Sequence, residues 1–254
     1  MRGYLLDWLS LLLRWMHIIA GIGWIGASFY LVWLQNVRLA PQSLRWFSGQ
    51  AYGTWLSGLA LLILLYFLQA PGTTVAGSVA LLIGSWFAYD GLCRSGFAGG
   101  SVRLGIALAL LGCILAGIVC LLFSGRGAFI LFGAVLGTLM VANIFFVIVP
   151  GRLQNAEAAL AVRAGQRWAH NTYLTLPVLF MMLGSHSARL YSGPYNWLVL
   201  VAMSFAGVCI RAWFVARHRP VEQAAFGSLL MLIMGLLALI IIIIGLYPDA
   251  AAPV

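Results

Sequence analysis

Charge is what this sequence has least of. Only 7% of its 254 residues are charged, lysine is absent, and five residues are acidic. A soluble domain carries roughly 25% charged residues, so a chain that is 63% hydrophobic points to the lipid bilayer as its solvent. Fourteen arginines give a net charge of +9, but they stand singly or in pairs between apolar stretches. That pattern is typical of membrane topology and excludes nucleic acid as an expected partner.

Motifs that define many enzyme classes are also missing. The cysteines form no CxxC or CxxCH pattern, which excludes a redox pair of that type and thioether attachment of haem. The sequence contains no P-loop, GxSxG or HExxH motif. Five acidic residues are too few for most divalent-metal chemistry. We therefore expect no resident metal site, nucleotide hydrolysis or serine-hydrolase chemistry.

Long apolar runs fill most of the chain. A bilayer core of about 30 Å requires about 20 apolar residues per helix, and turn residues separate the runs at Ala70–Gly72, Ser124–Gly127 and Ser192–Pro194. The predicted fold class is all-α, a polytopic membrane helix bundle forming one integral membrane domain over residues 1–254. Its eight predicted spans are Trp8–Leu34, Ala51–Gln69, Val75–Cys93, Val102–Phe123, Ala128–Pro150, Asn171–Gly184, Tyr195–Val215 and Ala225–Leu246.

The arginines predict an orientation for the bundle. The loops after the odd-numbered spans hold nine: Arg38, Arg45, Arg94, Arg103, Arg152, Arg163, Arg167, Arg217 and Arg219. The opposite loops and the N-terminus hold three: Arg2, Arg126 and Arg189. Because basic loops stay in the cytoplasm, both termini are predicted to lie outside. Multi-pass insertion in a bacterial inner membrane is the expected localisation.

Polar residues at membrane depth are the candidate functional groups, because burying them in lipid is costly. Helical spacing places Arg14, His17, Gly21, Trp24 and Ser28 on one stripe of the first span, which we expect to face the bundle interior. Arg14 and His17 are candidates for binding an anionic substrate or haem b. The alternative is a structural Asp7–Arg14 pair beside a satisfied core histidine.

Two further histidines flank the sixth span. Sixteen helical residues place His170 and His186 about 24 Å apart, so they cannot ligate one iron. His17 and His186 share the predicted outer half of the membrane, which leaves a bis-histidine haem open. We take Arg14, His17, His170 and His186 as catalytic candidates, with His170 or His186 transferring protons, and His17 and His186 as cofactor ligands. Asp90–Arg94 and Asn143 are interpreted as structural.

Nine stretches carry a resemblance to a known family. They are Tyr4–Trp8, Leu12–His17, Trp24–Tyr30, Tyr52–Gly58, Tyr89–Ser95, Phe123–Arg126, Gly137–Gly151, His170–Pro177 and Pro194–Leu200. In this order they resemble the membrane domain of the bacterial membrane-bound urate hydroxylases. The resemblance implies eight membrane helices followed by a cytochrome c domain. It also implies oxidation of urate to 5-hydroxyisourate, with water as the oxygen source and electrons leaving through the cytochrome.

The sequence departs from that family in places that bear on catalysis. It ends at Val254 without the cytochrome c domain, and the first loop, from Asn36 to Pro41, lacks the family's histidine and glycine-rich segment. Phe132 stands where the family tends to place a histidine on the fifth span. Phenylalanine can neither ligate a metal nor carry a proton.

Two hypotheses follow from the resemblance and these departures. The chain is either a urate-hydroxylase-like redox domain that passes electrons to a separate cytochrome c or quinone, or a non-catalytic accessory subunit. The accessory subunit would pack through its apolar faces against a larger respiratory or photosynthetic complex.

The predicted orientation is directly testable with a reporter enzyme fused after Val254. Because both termini are predicted to lie outside, we expect a periplasm-specific reporter to be active and a cytoplasm-specific one to be silent. Cytoplasmic activity of the C-terminal fusion would contradict the orientation.

Overall fold

The protein is all-helical in the part of the chain that can be described. The structure, a computed structural model, describes residues 2–33, 41–95, 101–123, 125–152, 156–216 and 232–240, and these residues contain no β-strand. The predicted fold class is therefore confirmed. Both chain ends lie outside the described residues, so the orientation of the termini stays a prediction.

The described residues form the following main helices in chain order. They are α1 (Arg2–Trp33), α2 (Pro41–Leu65), α3 (Gly72–Arg94), α4 (Ser101–Leu122), α5 (Gly125–Asn143), α6 (Ala158–Gly184), α7 (Asn196–Ala216) and α8 (residues 232–240). A 3-10 turn, Phe67–Gln69, follows α2, and a short helix, Ala188–Tyr191, precedes α7. The order of these helices agrees with that of the predicted spans, whereas two of the starts differ.

Helix α5 does not stop at Asn143 but widens. A π-helical stretch, Ile144–Ile148, continues it and leads into the helical turn Val149–Gly151. Pro150 lacks an N–H and its ring crowds the carbonyl of the preceding turn, which accounts for the widened backbone just before it. Bulges of this kind often lie at functional sites, and this one begins directly after Asn143.

The predicted start of the sixth span is wrong. Helix α6 begins at Ala158 rather than Asn171, so Arg163 and Arg167 lie on the helix and not in a loop. Residues 158–170 contain no proline and are rich in alanine, a strong helix former. Helix α2 likewise begins at Pro41 rather than Ala51, since proline fits the first turn of a helix.

Six of the described helices are long and apolar enough to cross a membrane. The spans are Gly3–Tyr30, Gln42–Gln69, Gly72–Arg94, Val102–Leu122, Gly125–Gly151 and Asn196–Ala216. Helix α6 is not among them, and the predicted eighth span is described only over residues 232–240. The chain is therefore a multi-pass membrane protein by helix length and composition, and the count of eight stays a prediction.

The chain forms two compact units. One comprises Met1–Ala109 with Ala134–Thr175, and the other comprises Leu110–Gly133 with Leu176–Val254. Within the first unit, α1 packs closely along α2, where a Cβ on Gly53 would touch Ala20 at 3.6 Å and one on Gly58 would meet the His17 ring. The Trp55 indole donates to the Thr138 hydroxyl at 3.0 Å, which ties α2 to α5.

The second unit is packed around small residues and aromatic rings. A Cβ on Gly133 would lie 2.9–3.0 Å from Met181 and Met182, as expected for close helix approach, and one on Gly207 would lie 2.9 Å from the Pro177 ring. Phe129 contacts Phe180 and Tyr191. Small residues thus let the backbones approach in this unit.

Gly151 sets the spacing between the end of α5 and the start of α6. A Cβ there would lie 2.6 Å from Ala164 Cβ and 2.7 Å from the Leu160 carbonyl oxygen. We expect Gly151→Ala to lower the free energy of unfolding by about 1–3 kcal/mol, as overpacking does. The measurement is a detergent-unfolding titration of the purified protein.

Gly137→Ala is the matched control for that substitution. It lies on α5, and a Cβ there would meet nothing within 4 Å. We expect it to be neutral or to stabilise the protein by up to about 1 kcal/mol, because alanine favours helix. Equal stabilities of the two variants would contradict the close packing of Gly151.

Candidate functional site

The predicted stripe on α1 is only half buried. Trp24 and Ser28 are buried and His17 is half-buried, but Arg14 and Asp7 are exposed. The ion pairs of the described residues involve Asp90 and not Asp7. The expectation that Arg14 faces the interior of its own chain is therefore wrong for the described structure. The Arg14 side chain lies at the surface, one helical turn before the half-buried His17.

His17 is held in a defined tautomer by α2. Its Nδ1 lies 2.8 Å from the Thr54 carbonyl oxygen and 3.1 Å from Ser57 Oγ. A carbonyl can only accept, so Nδ1 carries the proton and Nε2 keeps its lone pair. Gly58 leaves room for the ring, since a Cβ there would lie 2.8 Å from His17 Cε1. Metal-ligating histidines usually donate their other ring N–H to a carbonyl or carboxylate, as His17 does here.

His170 lies in a different environment, a buried polar network between α3, α5 and α6. Its Nδ1 is 2.8 Å from the Tyr89 hydroxyl, and Cys93 Sγ lies 3.9 Å from the same nitrogen. Asn143 Nδ2 donates to the Tyr89 oxygen at 3.0 Å. The Tyr89 hydroxyl, which accepts from Asn143, donates its single hydrogen to His170.

The network continues through a second amide. Asn143 Nδ2 also donates to Asn171 Oδ1 at 2.8 Å, and Asn171 Nδ2 donates to the Met140 carbonyl at 2.8 Å. Beside Asn171 is a cavity with room for about one water molecule, lined by Ser28, Phe47, Trp168, Asn171 and Thr172. Both asparagines are buried, so these hydrogen bonds fix the orientation of the facing helices.

The Asp90 carboxylate is the negative charge that pairs with the arginines of the network. Its carboxylate lies 2.6 Å from Arg94 Nε and 2.6 Å from Arg167 Nη2. The predicted Asp90–Arg94 pair is confirmed, but the Arg94 side chain is 56% exposed whereas that of Arg167 is 1% exposed. The Arg167 guanidinium also lies 4.7 Å over the Tyr89 ring, a cation–π contact. Arg167 is thus the buried cation of the site.

His186 and Phe132 belong to the second unit. His186 is exposed in the turn after α6, where its backbone N–H bonds to the Leu183 carbonyl at 3.0 Å. Phe132 is 3% exposed within the apolar packing of that unit. His17 and His170 lie in the first unit with separate hydrogen-bond partners, so a shared His17–His186 haem stays a prediction.

Three members of the network were not singled out from the sequence, Tyr89, Arg167 and Asn171, and a fourth, Asn143, was interpreted as structural. Arg167 is three residues before His170, a spacing that places both on one helix face, but it was assigned to a loop. Tyr89 precedes the acidic residue of the predicted ion pair. A search for polar residues within apolar segments could have found these four residues. It could not have predicted which of them bind one another.

Taken together, fold and site define a multi-pass helical membrane protein with a buried polar network. The chain matches the family model described as urate oxidase N-terminal over residues 3–42 and 37–245, and it belongs to that family. The two matched segments overlap at residues 37–42. Neither the curated proteins nor the solved structures contain a match.

The Tyr89 hydroxyl is the link between Asn143 and His170, and its removal tests the network. We expect Tyr89→Phe to lower the free energy of unfolding by about 1–3 kcal/mol, because two buried polar groups lose a partner. The readout is the same detergent-unfolding titration.

Tyr52→Phe provides the control. Tyr52 packs edge-on against Phe145, and its hydroxyl makes no hydrogen bond to the described residues. We expect a change within about 0.5 kcal/mol. A Tyr89→Phe variant as stable as this control would show that the network contributes nothing to the fold.

Proposed function

We propose that the chain is the membrane redox domain of a urate-hydroxylase-type enzyme. In the balanced reaction, urate and water give 5-hydroxyisourate, two protons and two electrons. The electrons would pass to a separate cytochrome c or quinone. Support comes from membership of the urate oxidase N-terminal family and from polar side chains buried inside an apolar helical protein.

The observation that carries the proposal is the tautomer of His17. With Nδ1 bonded to the Thr54 carbonyl, Nε2 keeps its lone pair and would be the atom that holds the iron of haem b. Haem b, when bound there, supplies one-electron chemistry. The donor set of the described residues fits that single ligand, while a second ligand from His186 remains a prediction.

Proton transfer is assigned to the network around His170. Urate oxidation releases two protons, and His170 Nδ1, which accepts from the Tyr89 hydroxyl, would take up the Tyr89 hydrogen while the phenol oxygen receives one of them. His186 is exposed and could transfer a proton only at the surface of the second unit. Arg14, exposed one turn from His17, would pair with an anion approaching from outside the chain, since a guanidinium matches planar anions.

The optical spectrum of the purified protein tests the haem assignment independently of activity. We expect a Soret band in the wild type that is lost in His17→Ala and kept in Met16→Ala, an exposed neighbour on α1. Loss of the band in His186→Ala as well would support a bis-histidine site. A featureless visible spectrum of the wild type would rule out haem.

Turnover is measured in the same preparation with urate and an added cytochrome c or quinone. We expect reduction of the acceptor in a 2:1 ratio of electrons to urate consumed. Absence of turnover with every acceptor would contradict the enzymatic assignment.

A second candidate function, an accessory membrane subunit, is favoured by the surface of α1. Arg14 is exposed between large exposed apolar side chains such as Trp15, Ile18 and Ile22. Lipid solvates a guanidinium poorly, whereas a partner protein can offer a carboxylate or carbonyls. Copurification with a larger respiratory or photosynthetic complex, together with no turnover, would favour this role over the enzyme.

A further inference from the structure

The Tyr89 hydroxyl is arranged to lose its hydrogen to a base. It accepts from Asn143 Nδ2 at 3.0 Å, so its single hydrogen is directed to His170 Nδ1, 2.8 Å away. A phenol that loses an electron becomes a strongly acidic cation radical, and its oxidation is easier when a base takes the proton in the same step. Tyr89 is only 4% exposed, and within the described residues His170 is placed to be that base.

Arg167 determines which form of an oxidised Tyr89 is tolerated. Its guanidinium lies 4.7 Å over the Tyr89 ring, a contact that favours the neutral ring and repels a cation radical. When the proton leaves with the electron, the ring becomes a neutral phenoxyl radical and the positive charge moves to the His170 imidazole. Asn143 Nδ2 can still donate to the phenoxyl oxygen. The surroundings of Tyr89 therefore favour the neutral radical over the cation radical.

A row of packed aromatic rings joins Tyr89 to the surface of the first unit. The Trp86 ring centroid lies 6.0 Å from that of Tyr89 and 5.7 Å from that of Phe146. Phe146 lies 4.9 Å from Phe145, which lies 6.0 Å from Tyr52. All four spacings are typical of rings in contact, roughly 4.5–7 Å. Phe145 and Phe146 are exposed, so the row reaches the face of a helix that is apolar enough to cross a membrane.

The rings of this row differ in their ability to lose an electron. Phenylalanine is too difficult to oxidise and serves only as a packed contact, whereas tryptophan and tyrosine can both be oxidised. Tyr52 is half-buried, and its hydroxyl makes no hydrogen bond to the described residues. Tyr89 is the ring of the row whose hydroxyl donates to a base within the described residues. An electron removed anywhere along the row is therefore expected to come finally from Tyr89.

We propose that Tyr89 is a redox-active residue that gives one electron to an organic radical at the membrane face of Phe145 and Phe146. In this step the Tyr89 O–H bond breaks and its proton forms an N–H bond at His170 Nδ1. The electron passes along the row to the organic radical, which is reduced to its anion. A phenoxyl radical and an imidazolium remain. The step requires neither haem nor urate, so it is independent of the proposed function.

Electron paramagnetic resonance of the full chain in detergent tests the site of oxidation. The probe is photo-generated tris(bipyridine)ruthenium(III), which removes one electron as an organic radical would. Radicals on exposed tyrosines decay by coupling to one another, whereas a buried one persists. We expect a long-lived tyrosyl signal that is lost in Tyr89→Phe and kept in Tyr30→Phe, an exposed position on α1. Equal long-lived signals in the two variants would overturn the proposal.

The rate of radical formation tests the proton acceptor. We expect His170→Ala to form the long-lived radical at least about tenfold more slowly, because the barrier rises when the proton has no acceptor. Cys93→Ser is the control, since Cys93 Sγ lies 3.9 Å from the same nitrogen but the substitution keeps the base. It should leave the rate unchanged. A wild-type rate in His170→Ala would overturn the coupled step.

The path through the row is tested at Trp86. We expect Trp86→Leu to slow radical formation at least about tenfold, because the ring contact with Phe146 is lost and electron transfer meets a higher barrier. The lifetime of the signal should not change, since Tyr89, His170 and Asn143 are all kept. An unchanged rate of formation would overturn the row as the path.

A measurement on the wild type keeps the proposal testable if Tyr89→Phe or His170→Ala fails to fold. High-field resonance of a tyrosyl radical reports the hydrogen bonds to its oxygen. We expect the signal of a hydrogen-bonded oxygen, with donors from His170 and Asn143. A long-lived tyrosyl without hydrogen bonds would lie elsewhere in the chain and would overturn the assignment to Tyr89.

Discussion

The buried ion pair between Asp90 and Arg167 is the constraint on which the site depends. It joins α3 to α6 through a 2.6 Å contact between residues 77 positions apart in the sequence. Two charges removed from solvent are stable only with good geometry and further hydrogen bonds. Asp90 meets this condition by binding Arg94 as well, and Tyr89 adds its ring face to Arg167. The pair therefore fixes the two segments that carry Tyr89 and His170.

Backbone approach provides the second constraint, on the side of α5. Gly151 lets the end of that helix contact Leu160 and Ala164 on α6, and the widened turn before Pro150 begins at Asn143. The amides of Asn143 and Asn171 meet across this junction at 2.8 Å. A buried polar network gives the core one defined structure only when all its members are held in one arrangement. The Asp90–Arg167 pair holds α6 against α3, and the Gly151 contact holds it against α5.

Local sequence patterns predicted the features that depend on residues close together in the sequence. Apolar run length gave the helices and their order, and four-residue spacing gave the Asp90–Arg94 pair. The start of α6 was missed because hydropathy ends a span where polar residues begin, although one of them, Arg167, is buried by its partner Asp90 on α3. Arg167 was assigned to the cytoplasm by charge counting, which does not distinguish a loop arginine from one neutralised by a distant aspartate. The exposed position of Arg14 was missed for a different reason. The free-energy cost of a charge in lipid predicts that Arg14 is buried, but a partner protein could bury it as well as its own chain.

The two histidines of the first unit are suited to different chemistry. His17 has one nitrogen fixed by a carbonyl and the other free, with no arginine among its described hydrogen-bond partners. His170 has Nδ1 engaged by Tyr89, and that ring also carries the Arg167 guanidinium. A cationic iron centre would be repelled by the guanidinium, whereas an anionic substrate would be attracted to it. Electrostatics therefore favours His17 over His170 as the ligand of the proposed haem.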